Sequence, residues 1–134
     1  MTSIYIEHTF DAGHRIVGHK GKCARLHGHT YKVDVTLRGQ VRDPGFVADF
    51  GEVKDVINRW DHRTLLWEQD PLYEIADPDL LFLQGIIWVP FNPTAEHMAR
   101  ELVTQLATAF DLYGIHLTLW ETPKCSAQVG WAGG

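Results

Sequence analysis

The sequence predicts an α+β fold, an antiparallel four-stranded sheet with two helices on one face. Three observations carry that expectation. Residues 3–10, 27–38 and 115–121 alternate apolar and polar side chains, the period of a half-buried strand. Residues 50–60 and 94–110 place apolar side chains at helical spacing, the stripe of a helix lying on a sheet. With a short strand at 46–49, the order strand, strand, strand, helix, helix, strand favours hairpins with the helices segregated to one side.

In the first strand Ile4, Ile6, His8 and Phe10 face one way and Tyr5, Glu7 and Thr9 the other. From Asp11 to Lys22, three glycines and four charged residues follow no period, so this stretch reads as a loop carrying His14 and Cys23 towards the next strand. In the second strand Tyr31, Val33, Val35 and Leu37 share a face with His27 and His29. Arg42-Asp43-Pro44-Gly45 is turn chemistry, followed by the short strand Phe46-Val47-Ala48-Asp49. Asp49 with Glu52 marks a helix start, and Val53, Val56, Ile57 and Trp60 give a helix from about Phe50 to Trp60 its buried stripe. Residues 67–92 are acidic and proline-bearing up to Asp79, then strongly apolar, and suggest two short strands folded at Gly85. Thr94 caps a second helix whose stripe is Ala95, Met98, Ala99, Leu102, Val103, Leu106 and Phe110. Ile115, Leu117 and Leu119 then form an apolar row that ends in Glu121, and Val129 and Trp131 hint at a final packed segment.

With 134 residues, 45% of them hydrophobic, residues 1–134 make one domain with a core of its own. Two cysteines, Cys23 and Cys125, make no disulfide framework, so a reducing cytoplasm is expected. The N-terminus lacks a basic start and an apolar core, and no run approaches the roughly 18–20 apolar residues of a membrane span. A formal charge of −5 argues against nucleic-acid binding, although Lys20, Lys22 and Arg25 form a local basic cluster able to hold a small polyphosphate.

The chemistry concentrates between His14 and His29. His27 and His29 stand two apart, so on one strand both imidazoles project from one face, about 6.5–7 Å apart along the chain. His14 adds a third if the two segments run side by side. Three histidines without an obvious fourth ligand are the pattern of a catalytic zinc, which keeps one position open for substrate or water. Cys23 is either the fourth ligand or a free thiol near the metal, its pKa lowered by the cation and by Lys20, Lys22 and Arg25. Against this stand two plainer readings. Eight histidines in 134 residues make some close pairs by chance, and a structural zinc would want paired cysteines, whereas Cys125 stands alone.

Asp61-His62 sets an acid beside an imidazole. Alone it is a polar helix end; at the metal site the carboxylate would orient the ring, raise its basicity and give Cys23 a proton-transfer partner. A buried carboxylate such as Glu121 needs a salt bridge or a ligand that donates two hydrogen bonds, for which a cyclic amidine or guanidine-like heterocycle is suited. Thr94 and Glu96 are explained most simply by helix capping.

Taken together, His14, the run Cys23-Ala24-Arg25-Leu26-His27-Gly28-His29, Asp49-Phe50, Asp61-His62, Asn92-Pro93-Thr94-Ala95-Glu96 and Glu121-Thr122 resemble the 6-pyruvoyltetrahydropterin synthase family. The spacing of Cys23 and His27 resembles its bacterial branch, the 6-carboxytetrahydropterin synthases. The resemblance implies the tunnelling fold, in which antiparallel sheets of several subunits join into a barrel with active sites at subunit interfaces, and hence a homo-oligomer, first of all a hexamer. It implies zinc on His14, His27 and His29, Cys23 as catalytic thiol, Asp61 and His62 in proton transfer, Glu121 as anchor of the pterin ring and Thr94 lining its pocket. The implied reaction converts 7,8-dihydroneopterin triphosphate to 6-carboxy-5,6,7,8-tetrahydropterin with release of acetaldehyde and triphosphate, on the route to queuosine and other 7-deazaguanines. Elimination of triphosphate alone, a non-catalytic pterin-binding zinc protein and a zinc hydrolase without need of Cys23 are the alternatives. The connection over residues 63–92 is longer than typical bacterial members carry between Asp-His and Pro-Thr-x-Glu.

Overall fold

Two long strands form the spine of the fold. In the computed structural model, which describes residues 1–75, 77, 79, 80 and 84–133, β1 (Thr2–His14) and β2 (His27–Gly39) pair antiparallel along their whole length. The inward row of β2, Tyr31, Val33, Val35 and Leu37, is fully buried, while Ile6, Phe10, Ala12 and His14 are buried on β1. Alternation therefore gives the expected face on both strands. β1, however, continues to His14, four residues into the stretch expected to be a loop, and the loop begins only at Arg15. Gly13 reads as a loop signal, but its role is a close approach: a Cβ there would meet Thr64 Oγ1 at 2.9 Å.

After β2, Phe46 makes only an isolated bridge to Arg42, so the short strand expected at 46–49 is absent. Asp49 caps α1 (Phe50–Ile57) by accepting from the Glu52 N–H, and a 3₁₀ turn over Asn58–Trp60 completes the expected helical stretch. β3 (Arg63–Trp67), a short helix α2 (Leu72–Ile75) and β4 (Ile86–Val89) follow. β4 is one of the two strands expected around Gly85; the other falls on a stretch of which residues 81–83 lie outside those described. Thr94 caps α3 (Ala95–Ala109), which buries Met98, Ala99, Leu102, Val103 and Leu106. β5 (Gly114–Thr122) and β6 (Cys125–Ala132) form the final hairpin.

Among the described residues one sheet of six strands results, in the order β4-β3-β1-β2-β5-β6. This corrects the four antiparallel strands expected from sequence, because β1 with β3 and β3 with β4 pair parallel. α1 packs on β1, α3 packs on β5 and β6, and the two helices touch each other, so both lie on one face as expected. The core lies between them and the sheet, with Phe10 stacked on Tyr31 at 5.2 Å and edge-on to Trp60 at 6.3 Å. No helix among the described residues is long and apolar enough to cross a membrane.

Candidate active site

Strand register builds the centre of the site. His14 lies opposite His27 and Ala12 opposite His29, so three imidazoles leave the same face of the sheet. One nitrogen of each lies within 4.8 Å of the other two. Nδ1 of His14 donates to the Pro93 carbonyl at 2.7 Å and Nδ1 of His27 to the Arg25 carbonyl at 2.6 Å. A carbonyl only accepts, so in the neutral rings the proton sits on Nδ1 and both Nε2 atoms carry lone pairs, which face each other at 3.0 Å. Neither can donate to the other. A cation held by these residues would turn this opposition into two favourable contacts.

His29 supplies the third position. Its Nε2 is buried without a hydrogen-bond partner, because Glu121 Oε1, although 3.3 Å away, lies outside hydrogen-bonding geometry. Burial pushes the pKa of both His14 and His29 down, which keeps these rings neutral and able to ligate at neutral pH. The donor set fits a divalent ion that prefers imidazole.

Three clefts meet at His29. One of about 620 Å³ runs over Thr9, Thr30, Lys32, Trp120 and Glu121. A second, about 400 Å³, is lined by Lys22, Cys23, Arg25, Leu26 and His27. The third, about 430 Å³, holds Asp11, Gly13, Gly28, His62 and Thr64. Glu121 and Cys23 thus line different clefts that share His29, and His62 lines neither.

Cys23 is a free, half-buried thiol in the 3₁₀ turn Lys22–Ala24. Its carbonyl accepts from the Ile16 N–H at 3.0 Å, which draws the turn against the chain leaving β1. Asp61 Oδ1 accepts from the Asp11 N–H at 2.9 Å and its Oδ2 meets His62 Nδ1 at 2.8 Å. These contacts hold the Asp61 carboxyl below its ordinary pKa, the Asp11 amide first and His62 second, while the Asp61 carboxylate raises the pKa of the exposed His62. Thr94 Oγ1 accepts from the His97 N–H at 3.2 Å, the capping role read from the sequence, and does not line any of the three clefts described above.

Several supports escaped the sequence reading. The Tyr31 hydroxyl, fully buried, sits 3.3 Å from His14 Nδ1, and burial with nearby Glu121 raises its pKa. Asn92 accepts from the Val17 N–H and donates to the Val17 carbonyl, at 3.0 and 2.8 Å. Asp70, buried, forms an ion pair with Arg15 at 3.0 Å. Residues 15, 16 and 17, directly after ligand candidate His14, are therefore held by Asp70, Cys23 and Asn92. An Asp-Pro step before a helix is a turn signal for Asp70, but nothing local announces its partner.

Fold and site define a class: an α+β sheet protein with a three-histidine cluster able to hold a cation and a cleft lined by Glu121 beside it. The chain belongs to the 6-pyruvoyl tetrahydropterin synthase family, whose profile matches residues 3–131. A 6-carboxy-5,6,7,8-tetrahydropterin synthase of Rickettsia felis is 37% identical over 131 residues, covering 90% of this chain and 94% of its own. A probable 6-carboxy-5,6,7,8-tetrahydropterin synthase of Halobacterium salinarum is 39% identical, covering 87% and 78%. In fold, the chain is similar to the 6-pyruvoyl tetrahydropterin synthase of Plasmodium falciparum, with TM-score 0.71, 22% identity and 98% of each chain covered.

Proposed function

We propose that the chain is a zinc-dependent carbon–carbon lyase converting 7,8-dihydroneopterin triphosphate and water to 6-carboxy-5,6,7,8-tetrahydropterin, acetaldehyde and triphosphate. The observation that supports this reading best is the meeting at His29 of the Glu121 cleft and the Cys23 cleft. Glu121 accepts two hydrogen bonds from the amidine-like edge of the pterin ring, which orients its three-carbon side chain towards the histidine cluster. His14, His27 and His29 hold zinc, which when bound acidifies the substrate's side-chain hydroxyls and stabilises negative charge on them. Cys23 takes the C–H proton beside the ring. Asp61 keeps His62 oriented and basic for the second proton transfer. The relatives named 6-carboxy-5,6,7,8-tetrahydropterin synthase favour cleavage of the side chain over elimination alone.

In this reading residues 1–134 act as one pterin-binding unit in the cytoplasm, assembled as a hexamer with the sites at subunit interfaces and feeding 7-deazaguanine synthesis. The deciding experiment incubates zinc-loaded protein with 7,8-dihydroneopterin triphosphate and follows products by mass spectrometry. Acetaldehyde with 6-carboxytetrahydropterin is expected. A 6-pyruvoyl product would replace the lyase by the elimination-only enzyme, and unchanged but bound substrate would make it a binding protein. Cys23→Ala should abolish turnover with zinc retained; surviving activity would remove the thiol from the reaction.

A further inference from the structure

In a chain of net charge −5, residues 12–33 contain no Asp or Glu but five cationic side chains, Arg15, Lys20, Lys22, Arg25 and Lys32. Two of these are already paired. Arg15 meets buried Asp70 at 3.0 Å, and Lys32 meets Glu7 at 3.0 Å and Asp34 at 3.8 Å. Among the described residues Lys20, Lys22 and Arg25 contact no carboxylate, and two of them, Lys22 and Arg25, line the Cys23 cleft of about 400 Å³. The local backbone places them together. Arg25 N–H donates to the Lys22 carbonyl at 3.0 Å, closing a 3₁₀ turn in which residues i and i+3 stack on one side.

We infer that Lys22 and Arg25 form the triphosphate subsite of the active site. The inference rests on the pterin reading above and extends it to the other end of the substrate. Order along the protein matches order along the molecule: Glu121 for the ring, the histidine cluster and Cys23 for the side chain, then Lys22 and Arg25 for the phosphates. An arginine fork and a lysine point charge at one cleft suit a linear polyphosphate better than a single carboxylate. Substrate selection between phosphorylated and unphosphorylated pterins resides in this turn, not in the ring pocket.

The test compares equilibrium binding of neopterin triphosphate and neopterin, read by pterin fluorescence, in the zinc-loaded wild type and in Lys22→Ala/Arg25→Ala. The preference for the triphosphate should fall about 10- to 100-fold in the double variant while neopterin affinity holds, which also shows that the variant is folded. An unchanged preference, or an equal loss for both ligands, overturns the assignment. Magnesium tripolyphosphate, titrated calorimetrically into the same proteins, separates the two readings. If neither pterin binds but tripolyphosphate does, and only in the wild type, the pterin reading fails and the subsite stands; equal tripolyphosphate binding by both proteins overturns the subsite.

Discussion

Asp61 and His62 place function and stability at odds within one turn. His62 has φ 58, a left-handed conformation that costs a side-chain-bearing residue about 1 kcal/mol or more, and its N–H is tied to the Asp11 carbonyl at 2.7 Å. Glycine adopts that φ without strain. His62→Gly should therefore keep or raise the thermal midpoint while turnover falls about 10²- to 10⁴-fold, the usual worth of a positioned acid or base. A drop in the midpoint with turnover intact would reverse both roles. The pH behaviour follows from the pair as well. Asp61 raises the pKa of His62 above 6.5, so the stabilisation from this contact is complete below 6.5 and is lost as pH rises through the higher folded value. Asp61 itself is held below 3.8, so its contribution is complete above 3.8 and disappears as pH falls through the lower folded value. An NMR titration should put the His62 inflection above 6.5 and Asp61→Asn should return it towards that value; a wild-type inflection at or below 6.5 would contradict the pairing.

At the scale of elements, the capping of α3 can be separated from any part Thr94 plays in a ligand pocket. Loss of the hydroxyl that accepts from His97 N–H should cost about 1 kcal/mol in Thr94→Ala, recovered in Thr94→Ser, as read by urea denaturation. Asp70→Asn should cost about 1–3 kcal/mol by leaving Arg15 without its buried counter-charge, and an unaltered denaturation midpoint would show that the pair contributes nothing. Neither partner of that pair reveals the other in sequence. Legibility followed periodicity: β1, β2 and β5 each bury one face and alternate, and α3 carries a regular stripe, so their identity was readable from residues such as Val33, Val35, Leu117 and Met98. β3 and β4 were not. They are five and four residues long and parallel-paired, with Leu65 and Leu66 both buried, so no alternation marks them. The histidine cluster was legible because His27-Gly28-His29 lies on the periodic strand, whereas the carbonyls that fix its ring nitrogens, from Pro93 and Arg25, carry no side-chain signal.

The whole molecule presents its sheet with two different ends. Among the described residues β4 and β6 are the edge strands, and neither has a neighbour on its outer side. β6 is eight residues long and alternates half-buried with exposed side chains, the form of a strand fitted to pairing rather than protected from it. None of its residues is charged. Natural edges that must stay single carry lysine, proline or a bulge, and among the described residues the register shift of this hairpin lies at Trp120/Thr122, on β5 at the end next to its turn. The Glu121 cleft is lined by Thr122 and Pro123 at that same end, so a neighbouring copy joined along β6 would lie beside the cleft. In the proposed hexamer, assembly and pocket closure are therefore one event. Light scattering should give a particle of six 15.2 kDa chains. Gln128→Lys and Gly130→Lys together, placing charge on the β6 edge, should shift that particle to smaller assemblies and weaken pterin affinity in step, measured on the same samples across a dilution series. Dissociation with undiminished affinity would separate the pocket from the assembly and place the complete site within one chain.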